Sequence, residues 1–203
     1  MSLVYVCGVV EVPTLIHQHD IKKLMSCLTN YEVIEEMYGL QKSVISIDPE
    51  YWKNSQNWLK LNMEDTPNEG DLNAPTANEV IKGITFGANA INSNQILLVH
   101  CQMGISRSPA MAIGSLVKAN RDIAGAFDQV LAVRPRIDPN PLIIKLIDEH
   151  LKLNGELITY NENFRKDFRA SLRKSYLEMV EIYLNDSKAL GIIFENVNQL
   201  SKI

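Results

Sequence analysis

The sequence predicts an α/β fold: a central, mostly parallel sheet flanked by helices, continued by a C-terminal helical extension. Three observations carry this expectation. Short apolar runs of strand character alternate with segments of helical spacing, the order that builds a parallel sheet. One such run, Ile96-Leu97-Leu98-Val99, leads through His100 to Ser108 into a helical pattern from Pro109 to Val117. From Asn154 onward the apolar spacing becomes that of an amphipathic helix, which divides the chain into a core of residues 1–153 and an extension of residues 154–203.

Taken in order, Leu3 to Val12 reads as a first strand ended by Pro13. Asp20 to Leu28 has Ile21, Leu24, Met25 and Leu28 at helical spacing. Tyr31 to Tyr38 reads as a short helix stopped at Gly39. Ser43-Val44-Ile45-Ser46-Ile47 reads as a strand ended by Asp48-Pro49, and Trp58 to Met63 alternates as a further strand. Glu64 to Pro75 is acidic and rich in Gly, Pro and Asn, which makes it a loop. Thr76 caps a helix that runs through Ile91, with Glu79 completing a capping box and Val80, Ile81, Ile84, Ala88 and Ile91 on one face. After the Ile96 strand come helices to about Asn120, from Asp122 to Val133, and from Asn140 to Lys152. In the extension, Phe164, Phe168, Leu172, Tyr176, Met179, Ile182 and Tyr183 form an apolar stripe, with Arg165, Lys166, Arg169, Arg173 and Lys174 on other faces. That stripe is a candidate surface for packing on the core or for self-association.

The composition, 203 residues with 46% hydrophobic and 22% charged, is that of a soluble globular protein. No apolar run approaches the roughly 20 residues that span a bilayer, so no membrane partner is expected. The first residues lack the basic start of a signal peptide. Cys7, Cys27 and Cys101 are too few and too scattered for a disulfide framework, which points to a reducing cytoplasm. A net charge of −4 gives no global reason to expect nucleic acid as a stable partner.

The chemistry concentrates in His100-Cys101-Gln102-Met103-Gly104-Ile105-Ser106-Arg107-Ser108. A strand, a tight loop and a helix N-terminus make an anion cradle, because unpaired backbone N–H groups converge there with the helix dipole. A cysteine at its base is a candidate thiolate nucleophile. Arg107 supplies a planar fork that grips two phosphate oxygens. Gly104 allows close backbone approach. The Ser108 hydroxyl can donate to the sulfur, or simply cap the helix before Pro109. His100 reads as a structural residue that orients the loop. A displaced alkoxide or phenoxide needs a proton, so an acid belongs on a loop above the cradle. Asp65 and Asp71 are the candidates, with Glu64 behind them. Asp65, directly after a strand, is the better fixed of the two.

With these residues in view, the chain resembles the cysteine-dependent protein tyrosine phosphatase superfamily, and specifically its dual-specificity members of bacterial or viral type. His100-Cys101 through Arg107-Ser108 matches the signature His-Cys, five residues, Arg, Ser or Thr. Val44 to Ile47 resembles the family's preceding core strand, and Arg134-Pro135 through Pro139-Asn140 resembles the turn that follows its signature helix. The resemblance covers roughly residues 3 to 152. It implies a protein tyrosine phosphatase-like fold that hydrolyses phosphotyrosine, and also phosphoserine or phosphothreonine, on a phosphorylated protein substrate. It makes Cys101 the nucleophile, Arg107 the transition-state binder, Ser108 the hydroxyl that assists breakdown of a cysteinyl-phosphate, and Asp65 the acid and then the base. The backbone N–H groups of Gln102, Met103, Gly104, Ile105, Ser106 and Arg107 would bind phosphate, with no metal and no cofactor. The loop from Thr66 to Pro75 is longer than in compact members, which keeps Asp71 in contention.

Other functions share parts of the pattern. Arsenate reductases and low-molecular-weight phosphatases carry their cysteine near the N-terminus, unlike Cys101. Phosphoinositide phosphatases usually hold basic residues inside the loop, where this chain has Gln102, Met103 and Ile105. RNA 5′-triphosphatases usually show more Lys and Arg around it. A phosphate-binding pseudophosphatase scaffold would lack the Cys, the Arg or the acid, and none is missing here.

Overall fold

Four strands, all parallel and ordered β1-β4-β2-β3, form the sheet: β1 (Val4–Gly8), β2 (Ile21–Leu28), β3 (Trp58–Asn62) and β4 (Ile96–Cys101). This computed structural model describes residues 3–168, 170, 174, 177–180 and 182. The α/β architecture is the expected one. The central strands β4 and β2 have helices over both faces, so every residue of β4 is buried. Each large apolar side chain there contributes roughly 1.5–3 kcal/mol by leaving water.

One face of the sheet is covered by α1 (Val12–Gln18), α2 (Tyr31–Tyr38), α3 (Leu40–Ile47) and the short α4 (Pro49–Trp52), whose Val12, Ile34, Leu40, Val44 and Trp52 join one apolar cluster with Leu24, Trp58 and Leu98. The other face carries α5 (Ala77–Asn92), α6 (Arg107–Lys118), α7 (Ile123–Val133) and α8 (Pro141–Leu151). Thr76 and Glu79 form the expected capping box at the start of α5. Small residues let α5 and α6 cross closely. A methyl group on Gly87 would fall 2.1 Å from Ser115 Oγ, and one on Gly83 would meet the Met111 side chain.

Three local expectations are corrected. The first strand stops at Gly8, and Pro13 sits in the first turn of α1, where its missing N–H leaves no bond unmade. Asp20 to Leu28 has helical spacing, yet Ile21–Leu28 is strand β2. Its Leu24 to Leu28 are all buried, so both faces are apolar and the alternation that marks a strand is erased. Ser43 to Ile47 alternates like a strand, yet it lies in α3, so no core strand occupies 44–47. Leu40 and Val44, one turn apart, bury together, while the Glu35 carboxylate accepts from the Gln41 and Lys42 N–H groups and caps the helix start.

The chain divides into one unit from Met1 to Glu162 and another from Asn163 to Ile203. Within the first, the buried Asp148 carboxylate accepts from the N–H groups of Gly155, Leu157 and Ile158, which caps a further helix starting at residue 156. Leu157 and Asn161 of that helix are buried. In the second unit, Phe164 and Phe168 lie one turn apart with nearly parallel rings, and Leu177, Met179 and Ile182 are exposed. Leu172, Tyr176 and Tyr183 of the expected stripe, with Arg169 and Arg173, lie outside the described residues.

Candidate active site

Cys101 is the last residue of β4, and its side chain lies under the loop that enters α6. The sulfur accepts from the Gly104 N–H at 3.2 Å and from the Ser108 hydroxyl at 3.1 Å. Both donors stabilise negative charge on sulfur. Gly104 has φ +72°, and a Cβ there would lie 2.4 Å from the Cys7 carbonyl carbon, so no other residue fits this turn. The loop is braced from β1 as well. Val9 N–H donates to the Gln102 carbonyl, and Arg134 bridges Glu11 and the Met103 carbonyl, while Glu11 accepts from the Gly8 N–H.

His100, directly before Cys101, is fully buried. The Trp58 indole N–H donates to Ser26 Oγ at 2.8 Å, and the same oxygen is hydrogen-bonded to His100 Nε2 at 2.5 Å. Burial pushes the His100 pKa down to about 4, against an opposing pull from the Cys101 backbone. The imidazole is therefore neutral at physiological pH and tied to Ser26 of the neighbouring strand.

Arg107 is almost wholly buried. Its Nη1 donates to the Met63 carbonyl at 2.8 Å, and its Nε, which makes no hydrogen bond, stands 3.8 Å from Asp65 Oδ2. Asp65 Oδ1 accepts from Ser106 Oγ at 2.6 Å and from Asn140 Nδ2 at 2.9 Å. Asn140 does two jobs. Its amide holds Asp65 and the Thr66 carbonyl, and its Oδ1 caps α8 by accepting from Leu142 and Ile143. The turn behind the loop is tied in too, through Asp138 N–H to the Ile105 carbonyl and Asn140 N–H to the Ser106 carbonyl.

The structure thus brings Cys101, Arg107, Ser108 and Asp65 into one cluster beneath the 64–75 loop. Asp71 is elsewhere: its carboxylate accepts from Thr66 Oγ1 and Asn68 Nδ2 within the loop, and these bonds hold it below the usual carboxylate range. Glu64 accepts from the Thr29 hydroxyl. Ser26, Trp58 and Met63 were not singled out from sequence. Ser26 left one trace, a polar residue inside an otherwise apolar run. Asn140 left another, since Asn before Pro141 is a helix-capping signature.

A sequence model of the dual specificity phosphatase catalytic domain matches residues 10–152. The chain belongs to this family. Among curated dual-specificity and related phosphatases, it is 31% identical over 107 residues to tyrosine-protein phosphatase pmp1 of Schizosaccharomyces pombe, covering 52% of this chain and 38% of that protein. It is 32% identical over 82 residues to phosphatidylglycerophosphate phosphatase PTPMT2 of Arabidopsis thaliana, covering 38% of this chain and 36% of that protein. The chain spans little more than a third of the length of either relative. The fold is similar to that of the Cydia pomonella PTP-2 phosphatase, with a TM-score of 0.52 and 19% identity, covering 72% of this chain and 84% of that one.

Proposed function

We propose that this dual-specificity family member is a phosphatase that hydrolyses phosphomonoesters on proteins, phosphotyrosine foremost, through a cysteinyl-phosphate intermediate. The observation that carries this reading is the Cys101 sulfur held by the Gly104 N–H and the Ser108 hydroxyl at the mouth of a helix, with Arg107 and Asp65 beside it. Phosphate seats on the N–H groups of Gln102 to Arg107 and on Arg107, which binds its oxygens in the ground and transition states. The Cys101 thiolate attacks phosphorus, the ester P–O bond breaks, and Asp65 gives its proton to the leaving oxygen. Water then attacks the cysteinyl-phosphate and gives a proton to Asp65. The P–S bond breaks while Ser108 donates to the departing sulfur.

The uncharged side chains of Gln102, Met103 and Ile105 favour a phosphoprotein over a polyanionic inositol phosphate. A lipid phosphomonoester is the second reading, supported by the relative named for phosphatidylglycerophosphate. A reducing, cytoplasmic setting suits three free cysteines. The exposed Leu177, Met179 and Ile182 support self-association through the extension, which analytical ultracentrifugation tests by a concentration-dependent mass.

The enzyme reading is tested with para-nitrophenyl phosphate between pH 5 and 8. Wild type should turn it over and Cys101→Ser should not. Absence of turnover by wild type across this range would refute the proposal. A panel of phosphotyrosine, phosphoserine and phospholipid substrates then ranks the two readings by kcat/KM.

A further inference from the structure

Away from the catalytic cluster, the outer strand β3 borders a slot of about 550 Å3. It opens where helices on the two faces of the sheet stop short of closing the edge. α3 contributes Gln41, α4 leads into Lys53, α5 gives Lys82, and β3 gives Trp58, Leu59 and Lys60.

The strand edge inside this slot is open. β3 pairs with β2 alone. Leu24 N–H donates to the Asn57 carbonyl and Met63 N–H to that of Leu28, so alternate residues from 57 to 63 turn toward β2. The N–H and C=O of Lys60 and Asn62 therefore turn outward, as a parallel ladder requires.

The charged side chains that line the slot have one sign. Lys53, Lys60 and Lys82 are all exposed, and no carboxylate lines the slot, although the chain as a whole carries −4. Neither Lys53 nor Lys82 has an ion-pair partner among the described residues. Lys60 Nζ donates to Gln41 Oε1 at 2.6 Å and stands 4.4 Å from the Trp58 ring centre. Glu35, the carboxylate whose field reaches Lys60, already accepts from the Gln41 and Lys42 N–H groups.

The position relative to the active site is direct. β3 runs straight on into Met63, whose carbonyl holds Arg107, and then to Asp65. At roughly 3.3 Å per extended residue, Lys60 and Asp65 are at most about 17 Å apart.

We propose that the slot docks an extended, acidic segment of the phosphoprotein substrate, which adds to the open edge of β3 and sets its carboxylates against Lys53, Lys60 and Lys82. The inference rests on the phosphoprotein reading and names the substrate class. Lysine on an open edge also blocks pairing with a second, like-charged copy. The same charges select an acidic strand over a neutral or basic one. Backbone bonds to Lys60 and Asn62 would supply affinity, and the lysines the choice of sequence.

Two measurements separate this proposal from the reading beneath it. In the first, a labelled, unphosphorylated Glu-rich peptide is titrated by fluorescence anisotropy against wild type and against Lys53→Gln/Lys60→Gln/Lys82→Gln. Wild type should bind it about ten-fold more tightly than the variant, the sum expected of three exposed charge pairs, and more weakly as salt rises. N-methylation of alternate backbone nitrogens of the peptide should abolish binding. Equal binding to wild type and variant overturns the docking site, and equal binding of the N-methylated peptide overturns strand addition. In the second, phosphotyrosine peptides carry either Glu or Gln four to six residues from the phosphate. Wild type should show the lower KM for the Glu peptide at equal kcat, and the variant should show no preference, with para-nitrophenyl phosphate turnover unchanged. Equal KM values in wild type overturn the proposal. Loss of para-nitrophenyl phosphate turnover by wild type would overturn the phosphatase reading instead, and the binding titration would still decide the slot.

Discussion

Lowering the pH through 6.5 should weaken this fold by way of His100. The ring is buried, and Ser26 Oγ, its partner at Nε2, already accepts from the Trp58 N–H. Burial strips an imidazolium of the water that would stabilise its charge. The folded protein therefore resists protonation down to about 4, whereas the unfolded chain accepts the proton near the ordinary 6.5. The stability this group contributes is whole above 6.5, is lost as pH falls from 6.5 toward 4, and changes no further below that. At 1.36 kcal/mol for each tenfold change in proton affinity, the full loss is about 3 kcal/mol, of which about 2 kcal/mol is gone by pH 5. Urea denaturation of wild type and His100→Asn from neutral pH to 4.5 isolates the effect, since other titrating groups cancel in the difference. The variant should start less stable and lose less on acidification. Parallel pH profiles for the two proteins would refute the reasoning.

Five substitutions probe the cluster around Cys101. Asp65→Asn should lower kcat by roughly 100-fold with para-nitrophenyl phosphate, whereas Asp71→Asn should leave it within about two-fold; the reverse result would move the acid to Asp71. Asn140→Ala removes the α8 cap and leaves the Thr66 carbonyl without its partner, so it should cost about 2–3 kcal/mol in chemical denaturation and lower kcat as well. Asn140→Asp keeps the cap but sets a carboxylate against Asp65. It should lose less stability and still turn over slowly; full activity would show that Asn140 does not position the acid. Gly104→Ala forces a Cβ against the Cys7 backbone at positive φ, so kcat/KM should fall at least about 10-fold, and wild-type activity would contradict this turn geometry.

The geometry of the Cys101 loop could be read from sequence because its demands are local. A thiol, a glycine at positive φ, a forked cation and a capping hydroxyl all fall within one strand-loop-helix passage. The placement of Asp65, rather than Asp71, beside Arg107 was also legible, since the end of a strand fixes a side chain better than a loop interior does. Chain periodicity misled at β2 and α3 for opposite reasons. β2 lies inside the sheet, where burial on both faces removes the alternation that marks a strand. α3 lies on the outside with Leu40 and Val44 its buried residues, and a carboxylate from the preceding helix, Glu35, starts it. The supports of the site were the hardest to see. Ser26, Trp58 and Asn140 act across separations of 32 to 75 residues, which no local spacing records.

Asn140 also makes the cluster depend on distant sequence. Residues 65 and 101–108 need the Asn140 amide, which holds Asp65, and the 138–140 turn, which backs Ile105 and Ser106. Domains fold as units, so the 101–108 loop, Asp65 and the start of α8 become ordered together. A chain cut short of residue 140 would keep every residue of the 101–108 loop and lose the contacts that hold it.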